Sequence, residues 1–171
     1  MKIRRKSKLE ESIMRISLSL LLSVLILASI TLGGGQSKEP EADAVRDLLD
    51  AYADACQKED LDALSHIFAN RPDTIKITAI SSRVHTGWKT IKEAYRNFFL
   101  NVDDCKMQFA VHAIQVLADG KVVCVTGHQE ATMRTNGRVV TFKDARVTLL
   151  LEKINGELRI VNAHWSLVQR P

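Results

Sequence analysis

Three dipeptides constrain this chain more than anything else in it: Asp119-Gly120, Asn136-Gly137 and Asn155-Gly156. A two-residue hairpin loop needs positive φ at both central positions, and Asp-Gly and Asn-Gly are the pairs that tolerate it best. They separate four long segments rich in β-branched and apolar residues, 105–118, 121–135, 138–154 and 157–169. Three successive hairpins make an antiparallel meander of four strands, and a meander with this much apolar side chain must be covered on at least one face.

The cover lies upstream. Val45, Leu48, Leu49, Tyr52 and Cys56 fall at i, i+3, i+4, i+7 and i+11, which predicts an amphipathic helix over 42–58. Asp60 is placed to cap a short second helix carrying Leu61, Leu64, Ile67 and Phe68, and Asn70-Arg71-Pro72-Asp73 stops it. The stretch 74–80 alternates and is rich in Ile and Thr, so it reads as a strand; 81–87 reads as a loop. Trp88, Ile91, Tyr95, Phe98 and Phe99 then give a third helical face, to about Leu100. Helices followed by a meander is an α+β arrangement.

The formal charge of +4 misleads. Six of the 24 basic residues but only two of the 20 acidic ones lie in 1–35, which leaves 18 of each in the remainder. A neutral domain has no net field to hold phosphate backbones, which argues against nucleic acid as a partner. The basic stretch 2–15, the apolar run 16–32 and the small residues Gly33-Gly34-Gly35 describe a signal peptide. The run is also near the lower limit of a membrane span, so a retained anchor is the alternative; either way the preceding Lys and Arg place the domain outside. The organisation expected is leader 1–35, linker 36–41 and one domain, 42–170. Cys56, Cys105 and Cys124 are odd in number and form no Cys-x-x-Cys, and they read as small buried residues. No His pair has the spacing of a helical metal site, and neither metal nor cofactor is expected.

The order of these elements resembles the cone-shaped nuclear transport factor 2-like fold, and the local matches are to its SnoaL-like branch. They are Tyr52-Ala53-Asp54-Ala55 with Glu59-Asp60-Leu61-Asp62-Ala63-Leu64, then Asn136-Gly137-Arg138, Arg146-Val147-Thr148, the run Asn155–Val161, and His164-Trp165-Ser166. The tail is also similar to the association domain of calcium/calmodulin-dependent kinase II, although Asn162 stands where that group has the first His of His-x-His-x-Ser. The resemblance implies a sheet bent around a helix to enclose a conical pocket. Relatives use that pocket as isomerases, dehydratases or cyclases, as assembly hubs, or as binding modules.

Strand alternation puts Asn162, His164 and Ser166 on one face, with Leu158 and Ile160 deeper on it. Facing the cone, they form a polar mouth over an apolar floor, with His164 as a candidate acid/base. Arg146 shares a face with Thr148 and Leu150. Inside a pocket it would bind a carboxylate; its opposite face, Val147, Leu149 and Leu151, fits a core equally well, and only the resemblance turns Arg146 inward. Tyr52 is a candidate donor from the first helix. The second face of the last strand, Val161, Ala163, Trp165 and Leu167, is apolar too, which predicts a homodimer through it. Asp144 sits two residues from Arg146, where an ion pair is its expected role. The reading is an exported domain binding a small organic ligand, with Arg146, Asn162, Ser166 and Tyr52 as binding residues. The alternatives are an isomerase, dehydratase or cyclase using His164, and a homo-oligomeric hub.

Overall fold

The computed structural model describes residues 39–167; the leader reading falls outside them, and of the expected linker 36–41 the second half, 39–41, is helical instead. Helix α1 (Glu39–Gln57) and helix α2 (Leu61–Ile67) come first. Strands β1 (Ile75–Ile77) and β2 (Val84–Thr86) precede helix α3 (Trp88–Phe99). The four long strands are β3 (Asp104–Leu117), β4 (Val122–Thr135), β5 (Arg138–Ile154) and β6 (Glu157–Ser166). All six strands join one sheet in the order β2-β1-β6-β5-β4-β3, with β1 parallel to β6 and every other pair antiparallel.

The helices arise where periodicity places them. On α1, Val45, Leu49, Tyr52 and Cys56 are buried while the charged positions between them face solvent. Asp60 caps α2, its carboxylate accepting from the backbone N–H of Asp62 and Ala63 at 2.9 and 2.8 Å. Asn136-Gly137 and Asn155-Gly156 take positive φ at both residues, as tight hairpins demand. The first turn is longer than expected. Ala118, Asp119 and Gly120 all have positive φ, and pairing resumes only between Leu117 and Val122. The expected strand over 74–80 pairs only at Ile75–Ile77, and the expected loop after it supplies β2.

The sheet is bent by bulges, where an extra residue on one strand sharpens the local twist. One lies between Val111 and Ala113 on β3. Opposite it stands Gly127, and a Cβ there would run into the carbonyl oxygen of Ala110 and lie 3.2 Å from the Cα of Val111. Only glycine permits that approach. A second bulge falls where Gln129 pairs with Ala145 but Ala131 pairs with Phe142; Asp144 there has φ of 57°. The third falls on β6, where Leu150 faces Asn162 but Leu151 faces Ile160, so that Val161 is the extra residue.

The core fills the concave side. Val123, Val125, Val147, Leu149, Leu151 and Ile160 project from the sheet onto Val45, Leu49, Tyr52, Leu64, Phe68 and Ile91. Toward the β1–β2 end this packing stops short and a cavity remains.

Candidate functional site

The cavity has a volume of about 390 Å³ and lies between α1, α3, the β1–β2 hairpin and the inner faces of β3 to β6. That is within the size range of small-ligand sites. Its walls are mostly apolar, with Met107, Ala131, Met133, Phe142 and Trp165 from the sheet and Phe98 from α3. Among the described residues no Asp or Glu lines it; the ionisable nitrogen groups are Lys76, Arg83 and His85. A wider groove of about 840 Å³, by α1, α2 and the β5–β6 turn, has Glu41, Asp47, His66 and Arg159 around it and lacks such buried groups.

Lys76 is the central feature. The short strand β1 carries it inward, beside Ala163 of β6 and His85 of β2. It is 8% exposed. Its Nζ lies 3.6 Å from the centre of the Tyr95 ring, a cation–π contact. No carboxylate among the described residues comes within ion-pair distance of it. Burial lowers its pKa from 10.5 to about 8, and the thiol of Cys56 opposes that shift only in part. His85 is lowered too, first by burial and then by Lys76 and Arg83.

Around Lys76 lie two tyrosine hydroxyls and a thiol. The hydroxyls of Tyr52 and Tyr95 form a buried hydrogen bond of 2.7 Å. Burial is the first cause that raises the pKa of both, so both stay protonated at neutral pH. Burial also pushes the Cys56 thiol up to about 12. Trp165, stacked on Tyr52 with ring centres 6.2 Å apart, keeps its indole N–H buried without a hydrogen-bond partner among the described residues. An unpaired buried donor costs about 1–3 kcal/mol. A ligand acceptor oxygen would answer the ammonium.

Of the residues expected at the site, Tyr52 alone lines the cavity. Arg146, Asn162, His164 and Ser166 do come together, on neighbouring positions of β5 and β6, but on the outer face of the sheet. Arg146 pairs with Ser166, and Thr148 with His164; Arg146 and His164 are exposed. The extra residue at Val161 is the physical reason. It breaks the alternation, so Leu158 and Ile160 point inward before the bulge, and Ala163 and Trp165 point inward after it. The same parity removes the apolar patch expected to meet a second chain. Val161, Ala163 and Trp165 are buried within this chain, and Leu167 lines the cavity. His112 and His128 meet on the outer face with ring nitrogens 2.6 Å apart, and among the described residues no group of three or more possible metal ligands forms. All three cysteines are free; Cys56 and Cys105 are buried and Cys124 is half-buried.

Lys76, Arg83, His85, Tyr95, Gln129 and Trp165 were not singled out as ligand-binding residues from the sequence. One signal was present: in 74–80 the polar residues Thr74, Lys76 and Thr78 alternate with Ile75 and Ile77, and here the polar set faces inward.

The model of the SnoaL-like domain matches residues 45–170. No curated protein matches the chain. Among solved structures, a nuclear transport factor 2-like superfamily protein from Salmonella enterica serovar Typhimurium is 20% identical, with a TM-score of 0.64, covering 75% of this chain and 91% of that one. A ketosteroid isomerase-like protein from Erwinia carotovora atroseptica is 18% identical, with a TM-score of 0.62, covering 78% of this chain and all of that one, 100%. An NTF-2 like protein from Shewanella oneidensis is 22% identical, with a TM-score of 0.58, covering 74% and 98%. At these identities the likeness is one of fold.

Proposed function

The chain belongs to the SnoaL-like domain family, in the nuclear transport factor 2-like superfamily, and we propose that its cavity binds a compact organic molecule with an apolar, ring-sized body and an acceptor oxygen at one end. The observation that carries this reading is Lys76, a buried amine with no carboxylate partner among the described residues, in a cavity that no acid lines. A buried charge is normally paired. Here the oxygen of a carboxylate or carbonyl takes the partner's place, Trp165 offers a second donor, and the aromatic walls take the body. A role for Arg146 in holding a carboxylate has no support from its exposed position on the outer face. Export is part of the proposal, on the strength of the basic and apolar leader.

Melting of the full chain against benzoate, cyclohexanecarboxylate and benzamide tests it. A ligand at 100 times its Kd adds about 2.7 kcal/mol, roughly 5–10 °C for a domain of this size. The expected result is a shift with the carboxylates that Arg146→Ala retains and Lys76→Met loses. No shift with any probe, or a shift that survives Lys76→Met and falls with Arg146→Ala, overturns the reading.

A further inference from the structure

We propose that Lys76 is a nucleophile that forms a reversible imine with an aldehyde or ketone held in this cavity. This deepens the binding reading by assigning the ligand's acceptor oxygen to a carbonyl. It rests first on geometry. A primary amine lines a cavity with room for a ring-sized molecule, and among the described residues no carboxylate is there to keep it charged. Desolvation in an apolar pocket is one way in which lysines are made nucleophilic at neutral pH. That condition holds: Lys76 is buried, in a cavity whose walls are mostly apolar. The groups facing Lys76 from the surrounding elements are Cys56 and Tyr52 of α1, Tyr95 of α3, and His85 of β2, with Arg83 ahead of β2. With a pKa of about 8, roughly a quarter of Lys76 is the free amine at pH 7.5, against about one in a thousand for an ordinary lysine.

The step balances without an oxidant or reductant. The Nζ lone pair attacks the carbonyl carbon, an N–C bond forms, and the oxygen takes a proton as nitrogen gives one up. The nitrogen lone pair then makes C=N as the C–O bond breaks. The oxygen departs with a further proton as one water. Protonation of the product gives an iminium, and the Tyr95 face that now meets the ammonium at 3.6 Å is placed to meet that cation. The iminium draws electron density from the adjoining carbon and so activates the bound carbonyl compound at its α position.

The test treats the full chain at pH 7.5 with benzaldehyde and cyanoborohydride, which reduces an imine to a stable benzylamine, and maps labelled lysines by peptide mass. We expect one benzyl group per chain, on Lys76, gained at least about tenfold faster than on the exposed Lys89 and Lys106, in line with the larger amine fraction. Lys76→Arg should lose the fast label. Because Lys89 and Lys106 compete in the same wild-type sample, the comparison stands even if the variant folds poorly. Labelling of Lys76 no faster than of Lys89 overturns the imine. If benzoate still shifts the melt in that case, the binding reading survives alone; if neither effect occurs, both fall.

Discussion

Replacing Lys76 with methionine should make the protein more stable, and only in a defined range of pH. The side chain is 8% exposed, and burial takes its pKa from 10.5 to about 8. At 1.36 kcal/mol per unit, the folded state gives up about 3 kcal/mol when it holds this ammonium. The sign follows from linkage. The folded pKa lies below the unfolded one, so between about pH 8 and 10.5 the unfolded chain binds more protons and stability gains with rising pH. Below about pH 8 the penalty is complete; above about 10.5 it is gone. Methionine matches the lysine stem in shape and carries no charge, so Lys76→Met should gain up to about 3 kcal/mol at pH 7, roughly 5–10 °C in Tm. The gain should shrink from pH 8 upward and vanish near 10.5. Cys56, Tyr52 and Tyr95 all have raised pKa values, so they ionise first in the unfolded chain and weaken both proteins at alkaline pH. To first order that loss cancels in the difference. Urea unfolding of both full-length proteins from pH 6 to 10.5, read as the shift in midpoint at constant m, gives the number. A variant less stable than wild type at pH 7, or a difference independent of pH, would refute the reasoning.

Three further outcomes follow from the same geometry. Tyr52→Phe leaves the Tyr95 hydroxyl buried without its 2.7 Å partner and should cost about 1–3 kcal/mol, whereas Tyr52→Phe with Tyr95→Phe should cost less than the sum of the singles in a double-mutant cycle by urea unfolding. Gly127→Ala forces a methyl into the β3 backbone at Ala110; overpacking of this kind costs about 1–3 kcal/mol, and thermal melting should show a lowered Tm. His164→Ala, on the outer face, should leave the benzoate-induced melting shift unchanged; its loss would place the ligand on the wrong side of the sheet.

The fold was legible because its signals are local. Asn136-Gly137 and Asn155-Gly156 dictate two hairpins, Asp60 dictates a cap, and the spacing of Val45, Leu49, Tyr52 and Cys56 dictates the buried stripe of α1. The site was not legible because side-chain parity depends on bulges. A single residue added at Val161 exchanges the faces of β6, and nothing in Arg159-Ile160-Val161-Asn162 announces it, since both faces of that segment carry apolar residues. Arg146 shows the same limit from the other side: Val147, Leu149 and Leu151 gave the correct inward face, and the resemblance pulled the other way. On β1 the default sends isoleucine inward. Ile75 and Ile77 are instead half-buried on the side of Asn162 and His164, because β1 lies parallel beside β6 with Lys76 against Ala163.

That inversion bears on function. An apolar residue at 76 would complete the wall that Ala163, Trp165 and Tyr95 begin and would remove a penalty of about 3 kcal/mol, a large share of the margin by which a domain of this size is stable. The buried indole N–H of Trp165, which also lines the cavity, adds a second cost unmet among the described residues. A buried ammonium with an aromatic ring but, among the described residues, no carboxylate against it, and a buried indole N–H without a partner there, both in the lining of one cavity, are poorly explained by folding alone. Acceptor oxygens delivered by a ligand would offset them, which is why the binding energy of such a ligand should be concentrated on Lys76 and Trp165 rather than spread over the aromatic wall.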